Sequence, residues 1–248
     1  MQGEPFYIGW QDRAAPSLAR WVRRRALFLL ACAAALGAVV TSLHAPPSTA
    51  RFEFGVVRRF NGRLEHIPYP TLVVARPGSS DSASRWLLTV FGKRGADEVT
   101  RPLDGHDVQF DGSLIHRDGV TMVELSPETL VDFGVTAAPD APPQLGPIVR
   151  LEGEIVDSKC FLGVMKPGDL KTHRACAARC ISGGVPPVLL VRDADGQATY
   201  HLLVDATGAA VNDRVLDWIA EPIVVEGRLL ERDGLSVLYA DPARFVRR

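Results

Sequence analysis

Two stretches, VQFDGSLIHRDG at residues 108–119 and IVVEGRLLERDG at residues 223–234, lie 115 residues apart and carry one pattern. At that offset Gly112, Leu114, Arg117, Asp118 and Gly119 fall on Gly227, Leu229, Arg232, Asp233 and Gly234, while Val108, Phe110, Asp111 and Ile115 meet similar residues. Self-similarity at a long fixed period marks a structural unit used twice. In each copy the pattern is that of a β-hairpin. Val108, Phe110 and Leu114, like Ile223, Val225 and Leu229, alternate with polar residues and make one buried face at period two. Arg-Asp-Gly supplies the turn, its glycine free to take a positive φ. Gly112 and Gly227, in mid-strand, predict a bulge or bend that coils a small sheet.

Working outward, each hairpin follows an apolar run (residues 86–91; 200–204) and a short helical stretch (97–103; 212–219), and Leu87-Leu88 falls on Leu202-Leu203 at the same offset. Gly55-Val56-Val57 and Gly153-Glu154-Ile155-Val156 read as the first strands. Strands, one short helix, then a closing hairpin resembles the OB-fold, a five-stranded Greek-key barrel. The expected fold class is therefore mainly β: a single N-terminal transmembrane helix followed by two tandem OB-like barrels, residues 51–136 and 148–248. Residues 137–147 form a Pro- and Ala-rich linker, and the second barrel carries a Cys/His helical insert at residues 157–187.

The chain has 248 residues, 46% apolar and 23% charged, with 28 basic against 29 acidic side chains. Those values exclude wholesale disorder, and the charge balance argues against a nucleic-acid binder, which shows a basic excess. Four cysteines are too few for a disulfide scaffold. Residues 26–43 (ALFLLACAAALGAVVTSL) carry no charge and, at about 1.5 Å per residue, barely cross a hydrocarbon core. Arg20, Arg23, Arg24 and Arg25 precede this run and no basic cluster follows it. The basic side stays inside, which predicts a single-pass inner-membrane protein with residues 1–25 cytoplasmic and the C-terminal barrels periplasmic. A cleaved signal peptide is the alternative, with Ser48-Thr49-Ala50 as its cleavage site; the long leader with Phe6, Tyr7, Ile8 and Trp10 favours a retained anchor. Arg24-Arg25-Ala26-Leu27-Phe28-Leu29 also resembles a twin-arginine export signal, which implies export of a folded, cofactor-loaded protein. Cys32, inside the apolar run, reads as a small packing residue.

The remaining cysteines lie in the insert, which has no counterpart in the first copy, as Cys160-x12-His173-x2-Cys176-x3-Cys180. With residues 173–180 helical, His173, Cys176 and Cys180 fall within a sector of about 60°, at about 100° per residue, on one exposed or cleft-facing side. Cys160 approaches from the preceding loop and completes a Cys₃His set suited to zinc or copper, with an iron–sulfur cluster ranked below them. Thr172 is the expected N-cap, which sets the helix dipole beside Cys176, and Gly183-Gly184 ends the helix. A disulfide between Cys160 and Cys176 or Cys180 is the competing reading, and under it no cofactor is needed; an odd thiol is left over. Cys-x3-Cys with a nearby His also resembles the copper motif of copper-delivery proteins and of the binuclear copper site of oxidases, without their surrounding sheets.

Gly153, Glu154, Asp157, Cys160, Phe161, Leu162, His173, Cys176, Ala177, Cys180, Gly184 and Pro186 match a run shared by an uncharacterised family of exported bacterial OB-like domains. The resemblance covers roughly residues 150–240 and implies a fold and a ligand set, with no named activity. His66, His106, His116 and His201 are scattered and read as surface or strand residues, and Gly92-Lys93-Arg94-Gly95 as a loop. No Rossmann, P-loop, G-x-S-x-G, H-E-x-x-H or haem-attachment pattern occurs. The chain thus reads as a binding module before an enzyme: a membrane-anchored metal- or redox-cofactor protein, either accessory to a membrane redox complex or a cofactor-delivery factor. The haem chaperone of cytochrome c maturation is similar in plan, though its histidine motif is not matched. The alternative from another class is a non-catalytic assembly subunit of a respiratory complex, stapled by a disulfide. A thiol–disulfide enzyme ranks last, since Cys-x-x-Cys is absent.

Overall fold

The computed structural model describes residues 14–43, 49–66, 68–76, 83–135, 144–194 and 196–248. The aromatic leader residues Phe6, Tyr7 and Trp10 with Ile8, Ser48 of the cleavage site, and linker residues 137–143 lie outside these. The chain divides into two units, residues 1–48 and residues 49–248. In the first, helix α1 runs from Pro16 to Leu43, 28 residues against the shorter run expected at 26–43. Pro16 suits a first helical turn, where its missing N–H has no partner to lose. Arg20, Arg23, Arg24 and Arg25 are good helix formers and continue the helix beyond the apolar run. The most apolar window of α1 has a mean hydropathy of 2.3, and the helix is long and apolar enough to cross a membrane.

The second unit is built from two closed five-stranded barrels. The first comprises β1 (Arg51–Phe52), β2 (Arg58–Glu65), β3 (Thr71–Ala75), β4 (Ala83–Val90), β5 (Arg94–Gly95), β6 (His106–Arg117), β7 (Val120–Leu125) and β8 (Val131–Val135). Helix α2 (Asp97–Thr100) lies between β5 and β6. Pairing runs β2–β3–β4–β7–β6 and back to β2, parallel only between β4 and β7; β1, β5 and β8 are short additions. The second barrel comprises β9 (Ile148–Asp157), β10 (Pro187–Arg192), β11 (Ala198–Val204), β12 (Ile223–Arg232), β13 (Leu235–Tyr239) and the short β14 (Val246–Arg247). Its ring is β9–β10–β11–β13–β12 and back to β9, parallel only between β11 and β13, so the two connectivities coincide. Residues 66–70 join the first two strands of the first ring. In the second ring residues 158–186 do so, and there the cysteines lie.

The hairpin turns form where expected, with φ of 47° at Asp118 and 50° at Asp233. No bulge forms at Gly112 or Gly227. Gly112 pairs with Arg58 on β2 and with Leu125 on β7 in continuous register, so β6 passes from one partner to the other there. A Cβ on Gly112 would stand 2.6 Å from the Glu124 carbonyl oxygen, and one on Gly227 2.4 Å from that of Tyr239. One expectation is corrected. Gly55 lies in a turn at φ 80°, Val56-Val57 belong to no strand, and the first strand of the ring begins at Arg58. Apolar, β-branched Val56-Val57 imitated a strand, whereas the true one is mostly polar and half-exposed. Gly62 is the true counterpart of Gly153: in each, a Cβ would meet the carbonyl oxygen of the neighbouring strand, that of Val73 at 2.5 Å or Leu190 at 2.3 Å.

Each barrel has its own core, around Phe60, Leu72, Leu88 and Phe110 in the first and Ile155, Leu189, Leu203 and Val225 in the second. A third apolar cluster joins them, with Tyr69, Leu87, Ile115 and Met122 packed against Val156, Phe161, Val188, Leu202 and Val237. Alternation explains this: Leu88 faces its own core and Leu87 the seam, as do Ile155 and Val156 in the partner barrel. Polar groups add to the seam. Arg85 of β4 bonds Asp233 at 2.8 Å and pairs with Glu65, and the Arg117 guanidinium lies 4.0 Å from the Phe161 ring centre. Lys159, 2% exposed, donates to the carbonyls of Val90 and Gly92, each at 2.7 Å, and pairs with Glu124 at 2.6 Å.

Removing one member of a buried ion pair strands the other. Lys159→Ala is therefore expected to lower stability by about 3 kcal/mol in urea unfolding. Arg59→Ala, at an exposed pair with Asp111, leaves the midpoint where it is.

Candidate metal centre

The site begins at the end of β9. Asp157 closes the strand, its Oδ1 accepts the backbone N–H of Cys160 at 2.8 Å, and the chain turns into a helical stretch over Cys160–Val164. The side chain thus caps a helical start that places Cys160 over the barrel end. Helix α3 then spans Leu170–Ser182. It starts three residues before the expected position, so Asp169 and not Thr172 is its N-cap. The cause lies outside the helix: Glu154 of β9 accepts the Leu170 N–H at 2.9 Å, and Arg192 bridges Glu154 and Asp169 at 2.9 and 2.5 Å. At the other end Gly183 and Gly184 stop the helix, as expected. Asn212 holds the last turn by donating to the Ile181 and Val185 carbonyls at 2.8 and 3.0 Å.

His173, Ala177, Cys180 and Ile181 form the buried face of α3, at the i, i+4, i+7, i+8 spacing of an amphipathic helix. The expectation of an exposed or cleft-facing ligand side is corrected. Cys160, Cys180 and His173 are 3%, 1% and 5% exposed, and Cys176, at the edge of the face, is half-buried. The face turned inward because α3 packs on β9 and supplies Ala177 and Ile181 to the barrel core.

Cys160 Sγ lies 3.9 Å from Cys176 Sγ and 4.0 Å from Cys180 Sγ, and all three are free thiols. A disulfide requires about 2.05 Å. Three thiolates on a tetrahedral zinc, with bonds of about 2.3 Å, stand about 3.8 Å apart. The three sulfurs lie within 4.8 Å of one another, as do the ligand atoms of Asp157, Cys160 and His173, and Cys160 belongs to both groups. His173 comes within that reach of Cys160 and Asp157 but not of Cys176 or Cys180, so the four expected ligands do not close into one group; its Nε2 bonds Asp157 Oδ2 at 3.0 Å. A carboxylate–histidine pair of this kind fixes the ring in metal sites and leaves the other ring nitrogen to ligate.

One cation addresses the cluster from outside the insert. Lys93, in the basic, glycine-rich stretch read from sequence as a loop, donates to Cys176 Sγ at 3.2 Å, and this bond raises its pKa. Its loop is seated on the end of α3. Gly95 N–H donates to the Gly183 carbonyl at 2.9 Å, and a Cβ on Gly183 would stand 2.0 Å from the Lys93 carbonyl oxygen. Cys160, hydrogen-bonded to Cys180 and buried near Asp157, is held protonated well above the ordinary thiol range. Cys180, which accepts that bond, is pushed below it with help from Lys93. One thiol is thus poised to give up its proton, and a metal displaces the rest.

Asp157 and Lys93 are site residues that motif spacing does not reveal. Asp157 stood in the quoted run without a role, and Lys93 comes from the other barrel. The scattered histidines lie elsewhere: His66 beside Asp97 at 2.7 Å, His106 beside Asp132 at 2.8 Å, His116 3.8 Å from Glu53, and His201 bonded to Ser236 at 2.8 Å.

Fold and site together define a two-barrel β protein with a buried cluster of three thiols whose members could hold a metal ion. No family model matches the chain, and no curated protein sequence does either.

Exposure separates the thiols chemically. In the metal-free, reduced protein, iodoacetamide is expected to label Cys176 first, with Cys160 and Cys180 about a hundred-fold slower until the protein is unfolded. Peptide mapping over time reads this order, and equal rates for all three would contradict the arrangement.

Proposed function

We propose that this chain is a membrane-anchored, exported protein that holds one soft or borderline metal ion, zinc or copper(I), at Cys160, Cys176 and Cys180, with His173 as the fourth ligand. The observation that carries the proposal is the spacing of 3.9 and 4.0 Å among unpaired sulfurs, which suits metal-bridged thiolates and not a disulfide. The Asp157–His173 pair supports His173 as a ligand held through Nδ1. Thiolate-rich donor sets select zinc and copper(I) over hard cations. The strand order 1-2-3-5-4-1 in both rings, with one parallel pairing, supports two OB-like barrels related by the 115-residue repeat. The arginines that open α1 support retention of that end in the cytoplasm, which sends both barrels to the periplasmic side of the inner membrane. Placed there, the protein acts as an accessory to a membrane redox complex or as a metal-delivery factor. The resemblance to exported OB-like domains with the same cysteine run agrees with this location.

A second reading, an assembly subunit with a disulfide staple, is favoured by one fact: Cys160 and Cys176 need approach by only about 2 Å to bond. Metal analysis and thiol counting separate the two. Protein purified under reducing conditions is expected to carry about one zinc or copper per chain, and Cys180→Ser to lose it. Less than about a tenth of an equivalent of any metal, with a Cys160–Cys176 bond in the native protein, replaces the metal reading by the staple.

A further inference from the structure

The proposed site has one opening. Cys160, Cys180 and His173 are 3%, 1% and 5% exposed, whereas Cys176 is half-buried and the only one of the four that is not buried. A ligand that takes the metal must first bond it from outside while the protein still holds it, so exchange begins on the side of Cys176.

That side is basic. Lys93, exposed, places its ammonium 3.2 Å from Cys176 Sγ. Arg179, also exposed, follows Cys176 by three residues on α3, the spacing that makes side chains neighbours on a helix surface. The other cations of this helix are engaged with an acid: Arg174 lies 2.6 Å and Lys171 3.7 Å from Glu221. The glycine contacts between Gly95 and Gly183 hold the Lys93 loop against the helix end, so the position of Lys93 is built into the packing of the two barrels.

We infer that the metal enters and leaves through Cys176 in the hands of an anionic chelating ligand, drawn and oriented by Lys93 of the first barrel and Arg179 of the second. This rests on the metal-binding reading above. Exchange is a ligand substitution: the incoming carboxylate or thiolate donor bonds the metal, the bond from metal to Cys176 Sγ breaks, and the remaining ligands follow. No electron is transferred. The released thiolates take up protons from water as the metal departs. Lys93 and Arg179 act as positioning residues, since they attract the ligand and do not themselves bond the metal.

The test uses the full-length protein in detergent, loaded with zinc, and follows zinc removal by two chelators, anionic EDTA and the uncharged pyridyl chelator TPEN. Removal by EDTA is expected to slow about ten-fold as salt rises from about 0.02 to 0.5 M, and to slow to a similar degree at low salt in the Lys93→Ser/Arg179→Ser variant. Removal by TPEN is expected to change little in either case, and Arg174→Ser, at a cation already engaged by Glu221, to leave both rates near those of the parent protein. A zinc-loaded protein whose EDTA rate ignores both salt and the double substitution overturns this inference alone. A double variant that slows both chelators equally overturns it as well, because that pattern reports a change in the site and not in the approach of an anion. Protein that takes up no zinc or copper overturns the metal reading and this inference with it.

Discussion

The ammonium of Lys159 is buried between the two barrels, where it meets the carbonyls of Val90 and Gly92 and the carboxylate of Glu124. A charge in that position is tolerated only because every donor finds an acceptor. Its place in the chain gives the contact wider reach. Lys159 lies between Asp157 and Cys160, so the segment that starts the thiol cluster is the one tied into the other barrel. The carbonyls it holds belong to the strand end and loop that carry Lys93. One ion pair and two hydrogen bonds thereby set both halves of the site: the cysteine turn of the second barrel and the cation of the first.

The cluster is an electrostatic problem in miniature. Three thiols and a carboxylate converge in a largely buried space, and all four cannot be anionic there without compensation. The metal-free protein meets this with protons and hydrogen bonds: Cys160 stays protonated and donates to Cys180, while Lys93 approaches Cys176. A dication or copper(I) held there would supply positive charge to the same arrangement in place of those protons. Metal affinity and thiol ionisation are two views of one balance. Phe161, next to Cys160 in the same turn, packs into the apolar seam with Tyr69 and Val237.

Glycine at close approaches makes the geometry possible. Gly183 lies where a Cβ would stand 2.0 Å from the Lys93 carbonyl oxygen, and Gly95 where one would stand 2.2 Å from that of Gly184. A larger residue at either would push the helix end from the loop and draw Lys93 from the thiol. At Gly112 and Gly227 the same economy lets the neighbouring strand approach the long hairpin strands of both barrels.

The hairpins, their turns, the apolar helix and the cysteine helix were legible in the sequence because each rests on local periodicity or on residues with a special backbone. The start of the first ring strand was not, because Val56-Val57 has strand composition outside any strand, while Arg58–Glu65 is held by partners distant in the chain. Spacing along one helix brought His173, Cys176 and Cys180 to one side; only packing decided that this side faces inward. Asp157, Lys159 and Lys93 acquire their roles across the barrel end and across the seam, between residues up to 83 positions apart. The sequence by itself determined what kinds of strand, helix and ligand are present. The tertiary structure alone decided which charges stand beside the thiols and which thiol meets solvent, because Coulomb and hydrogen-bond energies depend on distance in space and not on separation along the chain.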